Sequence, residues 1–170
     1  MRIKPIVVTF FILGLLSTGI WFWQTQTVAS APAVSFQTIK GESIDLTGLK
    51  GNPVIVTFWA TDCPGCIEEI PHLISLHQQY SRRGVNIIAV AMHYDPPNHV
   101  LEMAASKQLP YAVALDPTGM LAQAFGNVQL TPTTFLIDGT GAIVMQKIGI
   151  FELSGMQQRL EQLLANKAKY

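Results

Sequence analysis

Trp59-Ala60-Thr61-Asp62-Cys63-Pro64-Gly65-Cys66 decides the reading of this chain. The segment holds both cysteines, spaced C-x-x-C, and it follows an apolar run, Val54-Ile55-Val56-Thr57-Phe58. A buried strand that hands a C-x-x-C pair to the start of a helix is the arrangement of dithiol chemistry. The unpaired N–H groups and positive dipole end of the helix stabilise a thiolate on the first cysteine. The thiolate is the species that attacks a disulfide. Two intervening residues bring the second sulfur close enough to close a small ring. Cys63 is thereby expected to be the exposed, attacking thiol, and Cys66 the resolving thiol deeper in the helix. A purely structural bridge is the competing use, but so small a loop contributes little through chain entropy.

Outward from this segment, a helix is expected from about Pro64 to Arg82, with proline tolerated in its first turn. Pro71 inside it should produce a kink, and Gly84 should end it. Upstream, Val34 to Ile39 alternates like a strand, and Gly41-Glu42-Ser43 turns it into Ile44-Asp45-Leu46. Downstream, Val85 to Ala91 reads as a second buried strand, and Asp95-Pro96-Pro97-Asn98 leads into a helix ending near Gln108. A short strand follows at Tyr111 to Leu115, and a brief helix around Leu121 to Phe125. Thr133 to Asp138 and Ala142 to Lys147 form a hairpin over Gly139-Thr140-Gly141. A last amphipathic helix covers Leu153 to Asn166, with Met156, Leu160, Leu163 and Leu164 on one face. The order βαβ, αβ, ββα predicts an α/β domain, a sheet with helices on both faces, extended at its N-terminus by a β-hairpin.

The chain of 170 residues has a formal net charge of zero, 13% charged residues and no basic stripe. Nucleic-acid binding normally needs such a stripe, so it has no support here. The apolar residues concentrate near the start. Residues 1–5, with Arg2 and Lys4, form a basic n-region ahead of an uncharged run from Ile6 to Trp23. That run, residues 6–23, is near the lower limit for a bilayer span, and a single transmembrane anchor is expected. The basic start would remain in the cytoplasm and the rest would be exported, with Trp21 and Trp23 at the outer interface. A cleaved signal peptide is the alternative: Ala29-Ser30-Ala31 resembles a cleavage site, although Pro32 directly after it disfavours cutting. Residues 24–33 read as a linker and 34–170 as the folded domain. Either way the cysteines lie outside the cytoplasm, where disulfides persist.

At this point three ordered signals resemble membrane-anchored thioredoxin-like oxidoreductases of the TlpA/ResA type. The first is Gly51 to Thr61, ending in Phe58-Trp59-Ala60-Thr61. The second is Cys63-Pro64-Gly65-Cys66 followed by Glu69 and Pro71, a C-x-x-C-x-x-E-x-P pattern. The third is Leu130-Thr131-Pro132-Thr133-Thr134-Phe135. The resemblance runs from about Val34 to the C-terminus. It implies a thioredoxin-like fold with a central mixed sheet and a cis Pro132. The exposed backbone of Thr131 would then bind an extended substrate as an added strand. It also makes Glu69 a functional acid, able to take a proton from Cys66.

Two residues depart from the pattern. Thioredoxin carries a buried acid in its central strand where Thr57 stands here, which leaves Glu69 as the available carboxylate. Asp62 stands where relatives commonly carry tryptophan, and it sets a negative charge beside Cys63 that would raise the Cys63 thiol pKa. The four histidines, His72, His77, His93 and His99, are poorly spaced for a metal site, and no metal or organic cofactor is expected beyond the redox-active Cys63–Cys66 pair. The peroxiredoxin pattern P-x-x-x-T-x-x-C is absent around Cys63.

The expected function is a thiol:disulfide oxidoreductase of the bacterial cytoplasmic membrane, single-pass, with its catalytic domain in the periplasm. It would reduce disulfides of exported proteins and be re-reduced by a membrane dithiol donor. The resemblance points to apocytochrome c or copper-site assembly proteins as clients. A copper(I)-binding metallochaperone using the same soft thiolates is the alternative.

Overall fold

The computed structural model describes residues 29–167. Seven strands and four α-helices follow one another in this order: β1 (Ser35–Gln37), β2 (Ser43–Asp45), β3 (Val54–Trp59), α1 (Pro64–Tyr80), β4 (Asn86–Ala91), α2 (Pro97–Ser106), β5 (Ala112–Leu115), α3 (Met120–Ala124), β6 (Thr133–Ile137), β7 (Ile143–Ile148) and α4 (Leu153–Lys167). The main sheet has the order β5-β4-β3-β6-β7. Strands β3, β4 and β5 run parallel, β6 runs antiparallel to β3, and β7, antiparallel to β6, takes the direction of β3 again. This is the mixed sheet of a thioredoxin-like fold.

Every residue of β3 is buried, as its β-branched run demands of a central strand. The strand serves two cores. Val54, Val56 and Phe58 join Phe36, Phe125 and Phe135 on one face. Ile55 and Trp59 join Leu73, Leu76, Met156 and Leu160 on the other. Helix α1 buries Cys66, Glu69, Ile70, Leu73, Leu76 and Tyr80, a stripe at three- and four-residue spacing. Each fully buried leucine in that stripe contributes roughly 1.5–3 kcal/mol. The helix runs continuously through Pro71, which lies on its exposed side. A 3₁₀ turn, Ser81–Arg83, follows, and Gly84 closes it at φ +92°, a left-handed conformation in which a side chain would be strained.

The N-terminal hairpin pairs β1 with β2 and extends the sheet at its β5 edge. Ile39 N–H donates to the Val113 carbonyl at 2.9 Å, and Thr38 bridges Ala114. Because all three parallel strands end together, the loops after β3, β4 and β5, the loop before β6 and the loop after β7 gather at one end of the sheet. The dithiol is at that end.

One boundary differs from the sequence reading. Residues 29–31, expected to be linker, pair with the β6–β7 turn and the first residue of β7. Ile143 N–H donates to the Ala29 carbonyl and Ala31 N–H to the Gly141 carbonyl, each at 2.8 Å. The ordered domain therefore starts ahead of Val34. These are main-chain bonds to a sheet edge, which composition does not reveal. The expected span at residues 6–23 lies outside the described residues. Among the described residues no helix is long and apolar enough to cross a membrane.

Candidate active site

Strand β3 delivers the chain through Ala60-Thr61-Asp62 to Cys63, which caps α1 in an extended conformation, φ −93° and ψ 107°. Its Sγ accepts from the Cys66 N–H at 3.2 Å. The first sulfur thus sits on the unpaired N–H groups of the helix, where negative charge is stabilised. Pro64 occupies the first helical position, where its missing N–H does no harm. Cys63 and Cys66 form a disulfide with a Cα–Cα distance of 5.2 Å. The two sulfurs have unequal access: Cys63 is half-buried, whereas Cys66 is 3% exposed. A bulky partner can therefore reach only Cys63.

The approach to Cys63 is fixed from behind. Buried Asp95, on the β4–α2 loop, accepts from the Thr61 N–H at 2.7 Å and from the Thr61 hydroxyl at 2.6 Å. On the other side lies the segment before β6. The Thr131–Pro132 peptide is cis. Pro132 packs against the dithiol loop so closely that a Cβ on Gly65 would meet Pro132 Cδ at 3.4 Å and Ile150 Cγ1 at 3.5 Å. The Gly149 N–H donates to the Pro132 carbonyl at 2.8 Å and ties the end of β7 to this segment. Thr131 is half-buried and Leu130 exposed beside it.

Glu69 lies one turn beyond Cys66 and is 1% exposed. Its Oε1 accepts from the Phe151 N–H at 3.2 Å. Its Oε2 is met by the hydroxyls of Thr57 at 3.4 Å and Thr134 at 3.5 Å, and those two hydroxyls are 2.9 Å apart. Three donors do not compensate for the loss of water. Burial pushes the carboxyl up to about 7, against the opposing pull of the Phe151 N–H and the two threonines. Cys66 and Glu69 share a small cavity of about 10 Å³ with Thr57, Trp59 and Tyr111, about the size of one water. Burial, and then the charge of Glu69, push the Tyr111 phenol above its ordinary value. A carboxyl poised near neutrality beside a buried thiol can exchange a proton with it.

Asp62 is exposed, next to Cys63, and Glu68 is exposed on α1. The larger hollows, about 440 Å³ beside α2 and β5 and about 190 Å³ under residues 30–33, do not include the cysteines. The histidines are dispersed: His72 lies against Phe151, His77 against Tyr111, and His93 against Tyr94. Among the described residues no group of three or more His, Cys, Asp or Glu is placed to hold a metal ion.

The structure thus brings Cys63, Cys66, Glu69, Thr131 and Pro132 to one end of the sheet, with Asp62 on its rim. Sequence reasoning missed Thr134, Phe151 and Asp95. A polar residue in an apolar strand was the available signal for Thr134, because Thr57 and Thr134 are direct partners in the β3–β6 register.

Chemistry of this kind on this sheet defines the thioredoxin-fold thiol-disulfide oxidoreductases, in which a C-x-x-C pair cycles between dithiol and disulfide. The comparisons with known proteins agree. The Redoxin family matches residues 26–164, and the chain belongs to that family. It is 36% identical over 123 residues to the thiol-disulfide oxidoreductase ResA of Halalkalibacterium halodurans, covering 71% of this chain and 69% of the relative. It is 29% identical over 166 residues to ResA of Geobacillus thermodenitrificans, covering 96% of this chain and 94% of that one. Among solved structures it resembles a putative thioredoxin from Neisseria meningitidis, with a TM-score of 0.75 and 30% identity over 80% of this chain and 90% of that one. A thiol:disulfide interchange protein of the thioredoxin family from Chlorobium tepidum gives a TM-score of 0.74 at 26% identity, over 81% of this chain and 97% of that one. The protein is a thiol-disulfide oxidoreductase.

Proposed function

We propose that this oxidoreductase works as a reductant of disulfides in exported proteins, anchored by residues 6–23 in a bacterial cytoplasmic membrane with its dithiol in the periplasm. The observation that carries the reductive cycle is the buried Glu69 carboxyl, held near neutrality behind Cys66. The Cys63 thiolate attacks one sulfur of the client disulfide. A Cys63–client bond forms, and the first client thiolate leaves and takes a proton from water. Glu69 carboxylate accepts the Cys66 proton. Cys66 Sγ then attacks Cys63 Sγ, the Cys63–Cys66 bond re-forms, and the second client thiolate leaves. Two electrons pass from the dithiol to the client.

A membrane dithiol donor re-reduces the pair, and Glu69 returns its proton to Cys66 as that sulfur leaves. The cycle uses no organic cofactor and no metal. The Thr131 backbone holds the client as an extended strand beside Cys63. Disulfide-containing exported proteins are the clients, with apocytochrome c and copper-site assembly proteins as the kinds that the family resemblance suggests. The basic start, the apolar run and the aromatic pair at its end support the anchor.

Substrate trapping tests the cycle. A Cys66→Ser chain expressed at full length should accumulate mixed disulfides on Cys63, and Cys63→Ser should accumulate none. Trapping by Cys63→Ser instead would reverse the assignment. The anchor is checked by fractionation: the chain should sediment with membranes, resist salt and yield to detergent. A processed, soluble chain beginning after Ala29 or Ala31 would refute it.

A further inference from the structure

The five loops at the dithiol end, residues 60–63, 92–96, 116–119, 128–132 and 149–152, contain no lysine or arginine. They contain four carboxylates, and the start of α1 adds Glu68 and Glu69. Asp95 and Asp116 are buried and bonded to main-chain N–H groups. Glu152 is exposed but caps α4 through the Ser154 and Gly155 N–H groups. Asp62 and Glu68 are exposed, and the ion pair among the described residues, Arg83–Glu161, lies at the other end of the sheet. Lys50, Arg82, Arg83 and Lys107 all stand at that other end, where α1 and α2 finish and β3 begins. Lys40 and Arg159 lie along the hairpin and α4, and Lys147 is exposed on β7 one residue before Ile148, at the margin of the dithiol end but outside the five loops. The dithiol face is also apolar: Ile67, Tyr94, Met120, Leu130 and Ile148 are exposed there, between 36% and 67%.

This deepens the reading that Cys63 and Thr131 receive an extended client polypeptide, and it rests on that reading. We propose that Asp62 is a specificity-determining residue, selecting client segments that carry lysine or arginine within a residue or two of the reacting cysteine in an otherwise apolar stretch. The geometry is direct. A strand laid along Thr131 places its cysteine at Cys63, and Asp62 is the residue immediately before Cys63. A basic neighbour of the client cysteine meets an exposed carboxylate with no lysine or arginine in its own loop, while an acidic neighbour meets like charge. Complementary charge of this kind acts mainly on encounter and on the choice of partner, and the absence of lysine and arginine from all five loops leaves their own net charge negative.

The test uses the reduced full-length chain in detergent and two disulfide-closed peptides of equal length. One carries lysine beside each cysteine and the other carries glutamate. Flanking charge also changes the intrinsic reactivity of a peptide disulfide, so each rate is divided by its rate with uncharged dithiothreitol. The corrected preference for the lysine peptide should be roughly tenfold at low salt and should shrink as salt rises. It should fall to about threefold or less in Asp62→Asn, and the Asp62→Lys chain should favour the glutamate peptide. Because each value is a ratio of two substrates on one enzyme, altered reactivity of Cys63 cancels. Equal corrected rates for the two peptides with the unmodified chain would overturn the proposal. So would a preference that survives Asp62→Lys. If the unmodified chain reduced neither peptide faster than Cys63→Ser, the underlying reading of a client-reducing site would fail instead.

Discussion

Cys63 and Cys66 are three residues apart, yet they occupy different media. Cys63 is half-buried, beside exposed Asp62; Cys66 is 3% exposed, beside Glu69 at 1%. The exposed carboxylate keeps its water and acts on its surroundings through a screened field. The buried carboxylate has lost its water, and what changes is its own proton affinity, which rises to about 7. Seven residues, about two helix turns, therefore separate two uses of an acid. In the proposed cycle the outer one sets how readily Cys63 attacks and whom it meets, and the inner one sets when Cys66 can give up its proton.

The comparison breaks most sharply at the inner acid. Glu69→Gln keeps the shape and removes the base. Formation of the mixed disulfide should be nearly unchanged, while its resolution should slow by roughly 10²–10⁴-fold, the usual range for a positioned base. Acid quenching at timed intervals separates the two steps. Equal small effects on both would reduce Glu69 to a packing residue.

Burial of the same group also predicts a pH-dependent stability. The folded-state value of about 7 lies above the ordinary carboxyl value of 4.5. Stability from this group is fully present below about 4.5, falls as pH rises from there through 7, and is constant above. The shift corresponds to at most ~3.5 kcal/mol at about 1.4 kcal/mol per unit. Denaturant melts of the oxidised protein should show this loss between pH 5 and pH 8, and Glu69→Gln should flatten it. An identical slope in the variant would show that Glu69 is already ionised at pH 5.

The outer acid is worth less. Asp62→Asn should lower the Cys63 thiol pKa by about one unit, the size of a like charge on a partly exposed neighbour. Stabilising the thiolate stabilises the reduced form, so the reduction potential should rise by up to ~30 mV. Thiolate absorbance and equilibration with a redox buffer measure both, and salt should shrink both. An unchanged thiol pKa would place the Asp62 carboxylate out of reach of the sulfur. Thr57→Val is the smallest change. It removes one hydroxyl that opposes burial at Glu69, so the Glu69 carboxyl should titrate higher by less than about a unit. A downward shift would contradict the hydrogen-bond arrangement.

The dithiol, the succession of strands and helices along the chain and the position of Glu69 on the helix were legible because each is local: a spacing, a run, a turn of helix. The support around Glu69 was not. Thr134 reaches it through strand register from 65 residues away, and Phe151 through a backbone N–H from 82 residues away. A main-chain donor carries no side-chain signature. Asp95, which fixes Thr61 from 34 residues away, read as part of a helix approach because its neighbours are prolines. The pairing of residues 29–31 was hidden for the same reason as Phe151. The cis peptide at Pro132 came from resemblance, since only a small minority of X–Pro bonds are cis.

Proton transfer from Cys66 to Glu69 is the central step of the proposed cycle, and the pH profile of the resolution step measures it. Mixed disulfide is formed on Cys63 with a slow-leaving client, and release of the reduced client is followed from pH 5 to pH 9. The rate should rise with pH and level off through an inflection near 7, where Glu69 becomes the carboxylate, and Glu69→Gln should abolish that inflection. A profile that climbs without inflection near 7, or one that Glu69→Gln leaves intact, would contradict the account.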